Sequence, residues 1–307
     1  MPAARRVADN GRYADRRNWS GCIEFDVQMY WLDSTLDHLA GRPVCGYTAG
    51  GRAASEPTAL AALALVAGGR DRDAQPALAW LTRIQATDGS VGIRQGEPPG
   101  WPTSLAVLAW SSANSQSVHD GSIARAIAWI VADQGKTTSR VAEFGHNPEL
   151  PGWSYADATS CWLEPTALHV AALKAAGQSR HQRTRDGVRL LIDRQLNDGG
   201  CNYGNTTVLG QTLRPHVQPT GIALLALAGE SDPSGRIGKS INWLRRSIGK
   251  QTTSVSLAWA ILGLKAHGIE LHDTEQWLEA ARQRTEKAGN SPHKLALLAL
   301  AAKGWPR

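Results

Sequence analysis

Short apolar segments rich in alanine and leucine recur along the chain, and most of them follow a proline-containing phrase. The clearest phrases are Glu56-Pro57-Thr58, Trp101-Pro102-Thr103, Glu164-Pro165-Thr166 and Gln218-Pro219-Thr220, with weaker copies at Ser254-Val255-Ser256 and Ser291-Pro292-His293. Proline is tolerated in the first turn of a helix because its missing N–H would have no partner there. The phrases therefore predict six apolar helices that start near residues 58, 103, 166, 220, 256 and 293.

The segments between these copies show a different pattern, in which apolar residues occupy one side of a helix. Ile237, Ile241, Leu244 and Ile248 fall at i, i+4, i+7 and i+11, which is the spacing of an amphipathic helix. Similar helices are predicted near 75–86, 122–134, 183–195 and 274–286. A helix that is apolar on all sides belongs inside a protein, and one with a polar face belongs outside. The pattern predicts an all-α fold, an α6/α6 double barrel (toroid) of alternating outer amphipathic and inner apolar helices.

Composition is consistent with one large domain. The chain has 307 residues, of which 42% are hydrophobic, enough for a closed barrel over residues 19–307. Residues 1–18 are rich in arginine without an apolar signal core, which predicts a flexible basic arm. No run approaches the ~20 apolar residues that a transmembrane segment needs. Four cysteines without paired spacing favour reduced thiols and a cytoplasmic location.

The net charge of +6 weakly favours anionic ligands. No cluster of basic residues lies beside aromatic residues, as a nucleic-acid-binding surface would require. We therefore expect no nucleic-acid partner.

A second repeated phrase follows two of the amphipathic helices. It reads Gln85-Ala-Thr-Asp88-Gly89 in one copy and Gln195-Leu-Asn-Asp198-Gly199 in the other. This Gln-x-x-Asp-Gly phrase, on alternating inner and outer helices, resembles the repeats of squalene–hopene cyclases and other class II terpene cyclases. Protein prenyltransferase β-subunits share that barrel. The resemblance runs from about residue 20 to 305, and these phrases are expected to be structural, since glycine after aspartate permits a tight turn.

The resemblance implies a terpene cyclase-like enzyme that acts on an isoprenoid or other apolar small molecule by general acid–base chemistry. Class II cyclases carry Asp-x-Asp-Asp-Thr at the start of an inner helix, and the middle aspartate is the acid. The matching stretch here is Trp162-Leu163-Glu164-Pro165-Thr166, in which Glu164 takes the middle position. Trp162 and Pro165 replace the flanking carboxylates, so Glu164 is expected to protonate a hydroxyl, an enol or a polarised alkene.

Two alternatives remain open at this point. Protein prenyltransferases hold zinc with an Asp-x-Cys pair and a distant histidine, and Asp157, Cys161 and His216 supply those residue types. The spacing here is Asp-x-x-x-Cys, so we predict no tightly bound zinc, and no aspartate-rich magnesium motif is visible either. A zinc-dependent prenyltransferase-like subunit is one alternative, and a non-catalytic barrel that binds a ligand or a protein is the other. No cofactor is therefore assigned.

The site is predicted at one end of the barrel. The loops entering the first four inner helices are long (41–55, 87–100, 135–163 and 196–217), and the N-termini of those helices favour an anionic head group there. An apolar tail would occupy the bore. A partner subunit or a homodimer is left open. The candidate catalytic residues are Glu164, His169 and His216, and the candidate substrate-binding residues are Trp162, Tyr203, Trp101, Trp110, Glu56 and Cys161.

Overall fold

The computed structural model describes residues 20–98, 100–113, 116–141 and 144–306, and the predicted arm at 1–18 lies outside them. The described residues form twelve α-helices and one two-stranded sheet. The helices are α1 (Ser20–Gly41), α2 (Ser55–Ala67), α3 (Asp71–Ile84), α4 (Thr103–Ser112), α5 (Gln116–Ala132), α6 (Leu163–Ala175), α7 (Gln182–Asp193), α8 (Val217–Ala226), α9 (Arg236–Ser247), α10 (Ser254–Ala266), α11 (Thr274–Lys287) and α12 (Pro292–Lys303). Strands β1 (Thr207–Val208) and β2 (Gln211–Thr212) pair antiparallel between α7 and α8. The all-α prediction is confirmed.

The even-numbered helices are the apolar helices of the sequence pattern, and they are buried on every side. Residues Thr103–Trp110 of α4 are at most 1% exposed, and Leu295–Ala301 of α12 are at most 2% exposed. Each fully buried leucine contributes about 1.5–3 kcal/mol to stability. Side chains therefore fill the space between these helices along most of their length.

The order of contacts among the apolar helices is cyclic. Each of α2, α4, α6, α8 and α10 packs against the next even-numbered helix, and α12 packs against α2. The odd-numbered helices lie against this group, for example α3 against α2, α7 against α6 and α9 against α8. In α7 and α9, the buried residues lie on one side of the helix, and the other side is polar. The amphipathic helices therefore cover the apolar ones.

The proline phrases mark the helix starts, but the proline takes different positions within the first turn. Pro57, Pro165 and Pro219 are each the third residue of their helix, while Pro292 is the first residue of α12. All four prolines lie in the first turn, where N–H groups have no partner within the helix. The six predicted starts lie within three residues of the observed ones.

The Gln-x-x-Asp-Gly phrase forms a turn that fastens one amphipathic helix to the next. Gln85 donates hydrogen bonds to the carbonyl oxygens of Gly89 (3.0 Å) and of Ser122 in α5 (2.9 Å). Gly89 has a φ of 97°, and a β-carbon there would lie 2.3 Å from the carbonyl oxygen of Arg125. Gly199 has a φ of 96° and meets Lys239 of α9 in the same way. The glycine is therefore needed for the turn in both copies, whereas the bonds of Gln85 are not repeated by Gln195, whose side-chain amide is buried without a partner among the described residues.

Among the described residues, no helix is long and apolar enough to cross a membrane. The thiols of Cys45, Cys161 and Cys201 are free. The side chain of the fourth cysteine, Cys22, lies outside the described residues.

Candidate functional site

A repeated hydrogen bond fixes each long loop to the first turn of the apolar helix that follows it. The threonine of each phrase accepts a hydrogen bond at its side-chain oxygen from a backbone N–H of the loop. The pairs are Thr58 with Cys45 (3.2 Å), Thr103 with Val91 (2.7 Å), Thr166 with Trp153 (3.0 Å) and Thr220 with Cys201 (2.8 Å). This bond holds the loop across the helix N-terminus. It also brings loop residues close to the residue before each Pro-Thr, which is Glu56, Trp101, Glu164 or Gln218.

These loops and first turns bring together a group of polar and aromatic side chains that we name the entry cluster. Two carboxyl groups lie at its centre, each with a tyrosine partner. The entry cluster consists of Tyr47, Glu56, Trp101, Tyr155, Glu164, Gln218 and His293.

Glu164, the second residue of α6, carries the more buried carboxyl group. Its side chain accepts a short hydrogen bond from the Tyr155 hydroxyl at Oε2 and a 3.0 Å bond from the Gln218 amide at Oε1. The residue is 8% exposed. Burial raises the pKa of Glu164, and the nearby charge of Glu56 adds to the rise, although the two hydrogen bonds oppose it. Glu164 is therefore held by two donors in surroundings that disfavour its charged form.

Glu56, the second residue of α2, is built in the same way. Tyr47 donates a 2.6 Å hydrogen bond to its Oε2, and Nε2 of His293 lies 3.3 Å from its Oε1. The Tyr47 and His293 rings are 5.2 Å apart. Burial and the charge of Glu56 raise the pKa of Tyr47, so this tyrosine stays a hydrogen-bond donor.

Aromatic side chains border the two carboxyl groups. Trp101 meets Tyr155 edge to face, with ring centres 5.9 Å apart, and Tyr203 lies 5.2 Å from His216. Burial and the charge of Glu164 raise the pKa of Tyr203, which places its hydroxyl within electrostatic reach of that carboxyl group. Next to Gln218, a cleft of about 350 Å³ opens between the start of α8 and the start of α10. Tyr203, His216, Gln218, Gln251, Thr253 and Ser256 line the cleft.

His169 does not belong to this group, contrary to the sequence prediction. Its ring is fully buried and stacks on Trp153 with centres 5.2 Å apart, and its Nδ1 donates to the carbonyl oxygen of Pro165 at 2.7 Å. Burial lowers the pKa of His169 to about 4. His169 follows Thr166 by three residues in α6, and its ring meets Trp153 of the loop and Trp129 of α5 rather than Glu164.

Trp110 also lies away from the cluster, although it was expected to bind substrate. Its indole nitrogen donates to the carbonyl oxygen of Leu78 in α3 at 3.2 Å, and its ring stacks on His119 of α5. The side chain is fully buried. Trp110 therefore fills the space between α4 and the amphipathic helices.

Cys161 and Trp162 lie beside the cluster rather than in it. The Cys161 sulfur accepts a 3.2 Å hydrogen bond from the backbone of Gly152, and burial raises the pKa of its thiol. Trp162 packs against Gly204. Within the described part of the chain, Asp157, Cys161 and His216 do not form a metal-binding group. The expectation that the protein holds no zinc stays a prediction.

Sequence reasoning missed the tyrosine partners of both carboxyl groups. Tyr47 and Tyr155 each lie two residues after the backbone N–H that binds the threonine, and Tyr203 occupies the same place in the loop before α8. The spacing Cys45-x-Tyr47, Trp153-x-Tyr155 and Cys201-x-Tyr203 is visible in the sequence. A comparison of the loops with one another, as well as of the helices, would have revealed it.

Comparison of the chain with protein-family models gives no match, and comparison with curated proteins gives none either.

Proposed function

We propose that this protein is an α6/α6 barrel enzyme of the terpene cyclase and prenyltransferase type. In this arrangement, α2, α4, α6, α8, α10 and α12 form the inner ring, and the amphipathic helices form the outer ring. The cyclic order of contacts among the apolar helices supports this architecture. The entry cluster then lies at the mouth of the barrel, where the N-termini of the inner helices meet.

In this proposal, Glu164 is the general acid and base. The observation that carries it is a carboxyl group that is 8% exposed, holds two hydrogen bonds and lies within electrostatic reach of Glu56. Burial and a neighbouring negative charge both favour the protonated form of a carboxyl group. A general acid works best when its pKa is near the working pH. Glu164 is better suited to this task than an exposed glutamate.

Each neighbour of Glu164 has a separate task in the proposed reaction. Glu164 donates its proton to the substrate, and the resulting carboxylate accepts hydrogen bonds from Tyr155 and Gln218. The charge of Glu56 makes that carboxylate less favourable, so Glu164 takes a proton back from product or solvent. Trp101 and Tyr155 present aromatic faces and edges that suit a substrate carrying developing positive charge.

The proposed substrate is a small, largely apolar molecule with a neutral oxygen group, such as an isoprenoid alcohol or carbonyl compound. Gln218, which donates to Glu164, also lines a cleft of about 350 Å³, a volume near the lower end of the range of ligand sites. The two carboxyl groups of the entry cluster oppose a diphosphate, because like charges repel at short range. A neutral oxygen group suits this site better than the anionic head group expected from the helix N-termini.

Isotope incorporation tests the proposal without knowledge of the product. The protein is incubated in deuterium oxide with geranyl, farnesyl and geranylgeranyl alcohols, the matching aldehydes and the diphosphates, and carbon-bound deuterium is measured by mass spectrometry. We expect incorporation with a neutral substrate, and a loss of about 100-fold or more in Glu164→Gln. Glu275→Gln, an exposed position on α11, is the matched control and should retain full activity. Unchanged incorporation in Glu164→Gln would refute the assignment.

A binding module is the second candidate, and one observation favours it. Buried side chains occupy the space between the apolar helices along most of their length. A ligand would therefore reach the entry cluster but would not enter a deep bore. This candidate predicts that wild type and Glu164→Gln bind the same alcohol with similar affinity and that neither incorporates deuterium.

A further inference from the structure

The two copies of the Gln-x-x-Asp-Gly phrase differ in the residue before the glutamine. It is Ile84 in the first copy and Arg194 in the second, and these residues are 5% and 4% exposed. Arginine is almost never fully buried unless its charge is paired. The turn does not need an arginine, because the first copy forms the same backbone bonds after isoleucine. The repeat therefore gives no reason for a buried cation at this position.

The guanidinium of Arg194 lacks the partners that a buried cation ordinarily has. Among the described residues, Nε and Nη1 have no hydrogen-bond partner, and Nη2 donates only a long bond of 3.4 Å to the carbonyl oxygen of Asn147. Burial lowers the pKa of Arg194 to about 10, so the group is still charged at neutral pH. Buried charges are stable when a counter-ion accepts their hydrogen bonds.

Asp193 does not supply that counter-ion. Its Oδ2 lies 4.0 Å from Nε of Arg194, beyond hydrogen-bond distance, and accepts a 2.9 Å bond from the backbone of Asn147. Burial raises the pKa of Asp193, although the charges of Arg236 and Arg140 oppose the rise. One carboxylate therefore lies among three arginines. The other described acidic residues of the adjoining loops are exposed: Glu149, Asp157 and Asp198.

The amide of Gln195 also has unused hydrogen-bonding groups. The residue is 2% exposed, and neither side-chain polar atom has a partner within the described part of the chain. In the first copy, Gln85 accepts a 2.6 Å bond from Arg125 in addition to its two donated bonds. The corresponding residue of α9, Lys239, donates to the carbonyl oxygen of Asn197 instead. Two consecutive buried side chains therefore have donors without acceptors.

These side chains lie at the end of α7, beside two of the long loops. Asn147, in the loop before α6, approaches Arg194. Its neighbour His146 is 5% exposed, and Nδ1 of His146 lies 3.4 Å from the backbone nitrogen of Thr206, in the loop before α8. A group bound to Arg194 would therefore lie close to the place where the two loops meet.

We propose that Arg194 and Gln195 bind one small anion of the size of chloride. Nε and Nη1 of Arg194 and the amide nitrogen of Gln195 donate to it. A single-atom anion suits the site better than an oxyanion such as phosphate, because protein encloses the unpartnered atoms. A water molecule accepts the same hydrogen bonds but leaves the charge unbalanced. The proposal does not depend on the proposed chemistry, since neither residue belongs to the entry cluster.

Thermal unfolding of the full chain tests this proposal with sodium chloride as the probe. Sodium gluconate, whose anion is bulky, replaces it at the same ionic strength and pH. We expect the melting temperature of wild type to rise with chloride, by about 2 °C at ten times the dissociation constant, because the anion binds the folded chain. Arg194→Met removes the charge but keeps an apolar side chain, as Ile84 has in the first copy, and should abolish the rise.

Arg125→Met is the matched control, because it removes the arginine that bonds to the first-copy glutamine, and it should keep the chloride response. The proposal is overturned if chloride and gluconate give wild type the same melting temperature, which would indicate water at the site. It is also overturned if Arg194→Met retains the full response, which would place the anion elsewhere.

Bromide in crystals of wild type locates the anion by its anomalous scattering, and this test needs no variant to fold. We expect a peak in contact with the guanidinium of Arg194. The absence of that peak would overturn the proposal. A peak there without any effect of chloride on the melting temperature would indicate an adventitious ion only, which would overturn it as well.

Discussion

The two tyrosine–glutamate pairs of the entry cluster have the same construction but different surroundings. In each pair, a loop tyrosine donates to a glutamate in the second position of an apolar helix. Glu164 receives its other bond from the neutral amide of Gln218, whereas Glu56 lies beside the imidazole of His293. The loop residue whose backbone N–H binds the threonine also differs. It is Trp153 beside Glu164 and Cys45 beside Glu56.

The difference shows how one repeat produces two kinds of carboxyl group. Nε2 of His293 lies 3.3 Å from Oε1 of Glu56, whereas the partner of Glu164 is the Gln218 amide, which carries no charge. Glu164 is also more deeply buried, since its residue is 8% exposed while the side chain of Glu56 is 19% exposed. The pair of Tyr155 and Glu164 is therefore the one whose surroundings favour a protonated carboxyl group.

The two pairs should differ most in stability when the loop residue bound to the threonine is replaced. These residues are Trp153 in one pair and Cys45 in the other. Trp153 is fully buried, donates from its indole nitrogen to the carbonyl oxygen of Ile130 and stacks on His169. Trp153→Ala should cost about 3–5 kcal/mol of unfolding free energy. Cys45→Ala should cost about 1 kcal/mol, since it removes only a small side chain. Urea denaturation measures the unfolding free energy of both variants. Equal losses would show that Trp153 and Cys45 contribute equally to stability.

Removing the threonine anchors should affect the two pairs alike. Thr166→Val and Thr58→Val each leave a buried backbone N–H without its acceptor, at a cost of about 1–3 kcal/mol. Thr82→Val, at a partly buried position in the last turn of α3, is a control outside the loop anchors. Hydrogen exchange of the Trp153 and Cys45 amides should rise in the corresponding variant. Unchanged exchange would mean that other contacts hold the loops.

The smallest contrast concerns the pH dependence of stability. The pKa of Glu164 is raised in the folded chain, while an unfolded glutamate titrates near ~4.3. Below the unfolded value both states are protonated, and burial of the charge costs nothing. Above the folded value both states are ionised, and the cost is complete. Wild type should therefore lose stability relative to Glu164→Gln as the pH rises between the two values.

Thermal unfolding of wild type and Glu164→Gln over this pH range measures the effect, and Glu275→Gln on the surface serves as the control. A gain in the stability of wild type relative to Glu164→Gln as the pH rises would contradict the raised pKa.

The sequence predicted the parts of the molecule that depend on local pattern. Pro165-Thr166 and its copies marked the helix starts, because proline restricts the first turn wherever it occurs. The place of Glu164 in the first turn of α6 followed from the same phrase. The sequence did not show that His169 packs on Trp153 away from the entry cluster, because helical spacing shows which residues share a face but not which way that face turns. The partners Tyr155, Gln218 and His293 depend on how distant loops and helices meet.

The protonation state of Glu164 tests the central claim most directly. Infrared spectroscopy over a range of pH detects the stretching band of a protonated carboxyl group, and the band that Glu164→Gln lacks belongs to Glu164. We predict that this band persists above the ordinary glutamate pKa of about 4.3 and disappears only at higher pH. Tyr155→Phe should extend its range further, because the Tyr155 hydrogen bond lowers the pKa of Glu164. A Glu164 band that disappears at or below the ordinary value would contradict the account.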